Sequence, residues 1–341
     1  MENQKVRGSR LIKYVISRLL FSLLTVWIGL TIAFLVSRIN PVDPSTVLIS
    51  RLLSTGGYLR PKEILAMKQQ ILNLYGLDKP LYMQYFLFIK GVLSGNMGPS
   101  FTFFPTPVTE LIRNSIGWTM ILLGFSTVLA WIIGNVIGVL AASFSRSKIS
   151  KALEWMAMSL YPIPYVLFAL VLLLFFSLII PLYKGVGGAG MMTPSLSFSY
   201  VCGVLSRLSI PALSIIIPSS ATWLLSMKAL ALKMKEEDFV KYARIRGMSE
   251  KTVTKYIMRN SILPQITQLA LSLGYIFSGA LATEYIFNYP GLGGLLYRAI
   301  VSADYNLMLG ILSYSIIGVA LAAFVLDMIY PLIDPRIRYS E

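Results

Sequence analysis

EEDFVKYARIRGMSEKTVTKYIMRNSILPQ, Glu236–Gln265, is a polar stretch set between two apolar ones. A loop that only reverses the chain needs a few turn residues. This one is basic and reads as two short helices split by Gly247. Asp238 or Glu237 can open the first, because acids are favoured at a helix's positive end. Phe239, Tyr242, Ala243 and Ile245 are its candidate apolar contacts. Gly247 permits a backbone reversal that a side chain would resist. Ser249 then reads as an N-cap with Glu250 in the first turn. Val253, Tyr256 and Ile257 form an apolar stripe, and Lys251, Lys255 and Arg259 face solvent. Asn260 and Pro264 mark the approach to the next apolar run. Such a loop is either an amphipathic element held by anionic lipid or a docking element for a soluble partner, and the pattern alone leaves both open.

The flanking runs decide the fold class. A spanning helix needs about 20 mostly apolar residues. Six charge-free runs reach or approach that length, at 19–36, 116–145, 155–183, 208–227, 260–283 and 305–326. The chain therefore reads as an all-α integral membrane protein with six transmembrane helices. Residues 184–207, rich in Gly and Ser, read as a loop, and Leu81–Ile89 is too short to cross. The first run is too long for a signal peptide and lacks a small-residue cleavage site.

Orientation follows from Lys and Arg in the short flanks. One side holds Lys5, Arg7, Arg10, Lys13 and Arg18, then Arg146, Lys148 and Lys151, eight between Lys233 and Arg259, and finally Arg336 and Arg338. The other holds only Lys184, Arg207 and Arg298. Both termini (1–18 and 327–341) and the loop 228–259 are therefore expected in the cytoplasm. Residues 37–115, 184–207 and 284–304 are expected outside. Within 37–115, Pro61 opens a predicted helix at its favoured first position. Ile64, Met67, Ile71 and Leu74 fall at helical spacing, and Gly76 can end it. The expected product is a small cap on the membrane surface.

Composition narrows the chemistry. The chain has 30 basic and 15 acidic residues, no histidine and a single cysteine, Cys202. A typical zinc site, an intrachain disulfide and a His- or Cys-based catalytic dyad have no material. No metal site and no catalytic residue is assigned. The basic excess on a membrane chain reports anionic lipid and orientation, and no basic-aromatic patch points to nucleic acid. No G-x-x-x-x-G-K-[ST] phosphate loop occurs. If ATP drives this protein, another chain binds it.

Asp238-Phe239-Val240, Ala243-Arg244-Ile245-Arg246-Gly247-Met248-Ser249, Arg259-Asn260 and Pro264 resemble the coupling loop of ABC-importer permeases of the oligopeptide/dipeptide/nickel family. That loop reads D-Y-V-x-x-A-R-A-K-G-L-S and then R-N-x-x-x-P. The glutamate of the family's E-A-A triplet is absent, since Lys241 and Tyr242 hold its first two places, so no glutamate contact is assigned. Four further matches follow in order. Gly76-Leu77-Asp78-Lys79-Pro80 with Gln84-Tyr85 resembles G-L-D-x-P…Q-Y, and Pro107-Val108 with Glu110-Leu111-Ile112 resembles P-V-x-E-L-I. Glu284, Phe287, Pro290, Gly291, Leu292 and Gly293 resemble E-x-x-F-x-x-P-G-L-G. Asp327, Tyr330, Asp334, Pro335 and Arg336 resemble D-x-x-Y-x-x-x-D-P-R. Val42 before Asp43-Pro44, and Asn96 within Gly95-Asn96-Met97-Gly98, depart from the family's usual Gly and Asp.

The resemblance implies a second homologous permease subunit, two ABC ATPase subunits holding ATP and Mg, and an external solute-binding protein. It implies a prokaryotic cell membrane and peptides, oligosaccharides or nickel chelates as cargo. It makes Asp238, Phe239, Ala243, Arg244, Arg246, Gly247, Met248, Ser249, Arg259, Asn260 and Pro264 the expected ATPase-coupling set. Glu284, Phe287, Pro290 and Gly291 are candidates for the pathway or its gate, because an acid in a membrane span defaults to function. Asp327, Asp334, Pro335 and Arg336 read as a structural motif, with Asp327 bonded to a nearby amide or basic residue. Asn135 lies between Gly134 and Gly138, a spacing that favours close helix packing. Pro162 and Pro164 should bend the third span, and Pro211 and Pro218 the fourth. Tyr289 and Tyr305 are expected on the outside, where peptides or sugars could meet them. An ion-coupled secondary transporter is the rival reading; it wants intramembrane acids and inverted repeats, and no repeat is visible.

Overall fold

The structure is a computed structural model. It describes residues 2–39, 60–74, 76–180 and 197–333, with single positions at 46, 49, 50 and 53. Val42, Asp43, Pro44, Asp334, Pro335 and Arg336 lie outside the described residues. Twelve α-helices are found among those described, and no strand. They are α1 (Glu2–Ile39), α2 (Pro61–Leu74), α3 (Leu81–Ser94), α4 (Val108–Ser143), α5 (Lys148–Leu160) and α6 (Tyr165–Leu174). Then come α7 (Phe198–Lys235), α8 (Asp238–Ile245), α9 (Glu250–Gly274), α10 (Leu281–Ile286), α11 (Leu292–Val301) and α12 (Tyr305–Ile333).

Four helical stretches are long and apolar enough to cross a bilayer: Lys13–Ile39, Val108–Ser143, Gly203–Lys235 and Tyr305–Ile329. A fifth forms if Lys148–Leu160 and Tyr165–Ile179 count together, although they meet at 99°. Pro162 and Pro164 explain that break, since neither can donate to the helical ladder. By contrast, α7 runs through Pro211 and Pro218 uninterrupted. The run expected at 260–283, fifth in chain order, is not one apolar helix. Asn260, Ser261, Gln265, Gln268 and Ser272 dilute its first half. A 3₁₀ turn follows at Tyr275–Ser278, and Gly279 at φ +74° ends the run. The loop expected at 184–207 is helical from Phe198 onward, and α4 begins at Val108, eight residues before the expected start.

The chain divides into two compact units. The first comprises Met1–Trp118, Phe277–Leu281 and Gly291–Met328. Here α2 forms as its punctuation dictates. Pro61 takes the first position, and Glu63 reaches back to accept the Arg60 amide at 2.7 Å, half of a capping box. Gly76 at φ +62° closes it, with Leu77 N–H on Leu72 O and Gly76 N–H on Asn73 O, the paired bonds of a Schellman end. Phe34 of α1 stacks on Phe88 of α3 and meets Tyr85 edge-on, at 5.6 and 5.3 Å. A core of Val108, Ile112, Leu292, Leu296, Ala299, Leu307 and Ile311 joins α4, α11 and α12. Asp304 caps α12 by accepting from Leu307 N–H at 3.0 Å. It also accepts from the Ser100 hydroxyl at 2.5 Å and from Thr102 N–H at 2.8 Å.

The second unit comprises Thr119–Ile276, Ala282–Pro290 and Ile329–Glu341. Gly134 and Gly138 bring α4 against α7. A Cβ at Gly138 would stand 2.7 Å from Leu224 O and 2.8 Å from Met227 Cβ, and one at Gly134 would collide with Trp223. Small residues four apart thus allow backbone contact between long helices. Asn135 spends its amide on Trp131 O at 2.8 Å, within its own helix. Lys228 of α7, 8 % exposed at the side chain, pairs with Glu154 of α5 at 2.5 Å.

Candidate functional site: the Asp238–Asn260 elbow

The loop between α7 and α9 folds as two helices meeting at Gly247. Glu237 precedes α8 in extended conformation, and Asp238 lies in its first turn. At the far end Gly247 adopts φ +73°. Its N–H bonds Arg244 O at 2.9 Å, and Met248 N–H bonds Ala243 O at 3.2 Å, a second Schellman end. Ser249 immediately caps α9, its hydroxyl accepting from Thr252 N–H at 3.4 Å. Arg244 spans the turn, donating from Nε to Glu250 Oε1 at 3.1 Å and from Nη2 to Oε2 at 3.4 Å. Both ends of the elbow are therefore satisfied locally, and its angle is held by a forked ion pair.

The elbow is seated by one apolar cluster. Val240 and Ala243 of α8 are buried with Val139 and Ala142 of α4, Met227 and Ala231 of α7, and Val253 and Ile257 of α9. Two polar ties add to it. Lys235 donates to Ala142 O at 2.9 Å and Ser143 O at 3.2 Å, where α4 has spare carbonyls and a negative dipole end. Thr254 shares a 3.1 Å hydroxyl contact with Ser143. α8 is thereby packed against three long helices.

The apolar contacts expected from Phe239, Tyr242 and Ile245 are not made inward. Their exposures are 41 %, 66 % and 80 %, and Val240, not among the expected apolar contacts, takes the inward place beside Ala243. Positions 239, 242 and 245 share one face of α8, and 240 and 243 another, so seating one exposes the other. Phe239, Tyr242, Ile245 and Met248 thus form an exposed apolar strip, with Arg246, Lys251, Lys255 and Arg259 also exposed. Asn260 bonds Tyr256 O at 2.9 Å. Pro264 lies apart from the elbow, in the wall of a cleft between α7 and α9.

Glu284, a candidate for the pathway or its gate, is fully buried. It accepts from the Thr119 hydroxyl at 2.8 Å, and Phe287 beside it is 2 % exposed. Tyr289 and Tyr305, expected outside, are 4 % and 5 % exposed. Burial first, and the Glu284 charge second, push the Tyr289 phenol above its usual range. Pro290 precedes Gly291, which caps α11 in extended conformation. Asp327 meets Arg18 at 3.5 Å, and its carbonyl accepts from Tyr14 at 3.2 Å, a tie between α12 and α1.

Residues 134–339, containing the elbow, its seat and the Gly134 contact, match the family described as binding-protein-dependent transport system inner membrane component. The chain belongs to that family. The inner membrane component is 31 % identical over 334 residues to a putative peptide permease protein of Brucella suis biovar 1, covering 97 % of this chain and all of the relative. It is 29 % identical over 328 residues to the oligopeptide transport system permease protein AppB of Bacillus subtilis, covering 96 % and 99 %. With the oligopeptide transport system permease protein OppB of Escherichia coli K12 the identity is 26 % over 333 residues, covering 96 % and 100 %.

Three features of this component escaped the sequence reading. Asp304 carried the signal of an acid directly before a helix, an N-cap position. The Lys228–Glu154 pair carried none, because its members are 74 residues apart in the chain and belong to different spans. The α7–α9 cleft carried half a signal: Ser219, Thr222 and Ser226 recur at helical spacing, as do Gln265, Gln268 and Ser272.

Proposed function

We propose that this chain is one of two transmembrane subunits of an ATP-driven peptide importer working by alternating access. Two ABC ATPases act on it from the cytoplasm, and an external binding protein delivers cargo. Peptide as cargo rests on the names of the relatives above. ATP and Mg are held by the ATPases, and no residue of this chain makes or breaks a covalent bond. Both termini and the elbow lie in the cytoplasm of a prokaryote, as the Lys and Arg distribution requires.

The observation that carries the coupling role is the two-faced α8. Val240 and Ala243 lock it to α4, α7 and α9, while Phe239, Tyr242 and Ile245 remain uncovered. An amphipathic helix laid in a partner's groove uses such a strip. ATP binding draws the ATPases together, α8 moves with them, and the cluster transmits the shift to the spans as a rigid-body change. The path then faces outward to receive peptide and inward after hydrolysis. The shift is real only to the extent that α8's contacts differ between the two states.

The test is Arg244→Glu, alongside Gly247→Pro. The first replaces a forked attraction to Glu250 by repulsion, and the second forbids φ +73°. Stimulation of ATP hydrolysis by liganded binding protein should fall in both while membrane insertion persists. Wild-type stimulation in both variants rejects the lever.

A further inference from the structure

We propose that the cleft between α7 and α9 is a stretch of the import path that recognises the main-chain amides of the peptide, with Gln265 as the fixed acceptor. The inference rests on the peptide-importer reading above. The cleft measures about 660 Å³. Ser219, Thr222 and Ser226 face it from α7, and Gln265, Gln268 and Ser272 from α9. Among the described residues no charged side chain lines it.

Two observations point to a ligand. First, Gln265 is 2 % exposed, and its Oε1 has no hydrogen-bond partner among the described residues. A buried amide oxygen left unpaired is unfavourable, so its persistence asks for an occupant. The rest of Gln265 is held firmly. Nε2 donates to the Ser226 hydroxyl at 2.8 Å, and the backbone carbonyl accepts from Trp131 Nε1 at 3.0 Å. Those two bonds tie α9 to α7 and to α4 and hold in place, at the wall of the cleft, the side chain whose carbonyl oxygen is unpaired. Second, six hydroxyl and amide side chains line facing surfaces of long helices. Hydrocarbon does not solvate such groups, so in a membrane they line protein or water.

The lining chemistry selects the class of ligand. Uncharged donors and acceptors suit a group that carries both, and a peptide main chain presents N–H and C=O at every residue. A charge-free lining also fits a carrier of varied cargo: an acid or base here would favour one class of side chain, whereas hydroxyls and amides read only what all peptides share. Holding by a few such bonds stays weak enough for release.

The assay is uptake into proteoliposomes containing both permease subunits and both ATPases, fed by the binding protein. A radiolabelled tripeptide is compared with its analogue N-methylated at the central amide. The quantity read is the ratio of the two fluxes, so any preference of the binding protein cancels between variants. Losing one net hydrogen bond corresponds to about fivefold. In Gln265→Leu the flux ratio should move toward one by about that factor, through loss of the unmethylated flux. A ratio equal to wild type overturns the assignment.

A second readout does not depend on Gln265. With Cys202→Ser as background, Thr222→Cys should react with a small water-soluble thiol reagent. Peptide and ATP together should slow that reaction. No reaction in the resting transporter means that lipid or the partner subunit fills the cleft, and the inference fails. Wild-type transporter that moves neither peptide but imports an oligosaccharide overturns the peptide reading, and this inference with it.

Discussion

Ile245→Ser separates docking from folding. Ile245 is 80 % exposed and is not part of the cluster that seats the elbow. Nearly all of its apolar surface is thus free to be buried by an ATPase subunit. Covering such a side chain contributes about 2 kcal/mol, which is about thirtyfold in Kd. The same change at Val240, which is fully buried among Met227, Ala231, Val253 and Ile257, would act on the fold instead. The two variants should therefore part company. Ile245→Ser should keep wild-type yield and melting temperature in detergent, bind the ATPases about thirtyfold more weakly in a fluorescence titration, and lose peptide-stimulated hydrolysis. Val240→Ser should lower the melting temperature before any effect on docking is measured. Lys251→Ala, at an exposed and already solvated position, is the control and should move binding by less than about twofold. ATPase affinity within twofold of wild type for Ile245→Ser refutes the assignment of the outward face of α8 as the docking surface.

Three further outcomes follow from packing. Gly138→Leu forces a side chain where even a Cβ would stand 2.7 Å from Leu224 O, so α4 and α7 must separate; a loss of at least about 2 kcal/mol should appear as poor yield and early melting. Glu154→Gln leaves the Lys228 ammonium buried without its ion partner. Because Glu154 keeps 30 % exposure, the expected destabilisation is about 2 kcal/mol, below that of a fully enclosed pair, and Glu154→Gln with Lys228→Met should recover most of it in thermal denaturation. Asp304→Ala removes the cap of α12 together with the acceptor for Ser100 and Thr102. It should destabilise by about 3 kcal/mol, with Asp304→Asn intermediate, and Asp304→Asn melting together with the wild type would mean that the carboxylate contributes nothing beyond an amide.

Local features were legible in the residues. Pro61 with Gly76, and Gly247 with Ser249, mark helix ends that form where they stand, because a φ lock, a left-handed turn and a hydroxyl cap involve neighbours only. Long apolar runs likewise predict spans, since a bilayer filters by length and polarity. The fifth run resisted that logic. Its polar residues turn out to be useful for lining a cleft and spoil the average that would announce a span.

The chain alone thus determined that this is a helical membrane protein with a basic elbow. Tertiary structure decided which face of each helix is spent on packing. On α8 two apolar faces compete for the interior, and the residues Val139, Met227 and Ile257 pack against Val240 and Ala243, turning Tyr242 and Ile245 outward. It also decided that Glu284 is enclosed, that Lys228 finds Glu154, and that Gln265 is left with an open acceptor. Helical periodicity states which residues share a face, but only contacts between distant segments say what that face meets.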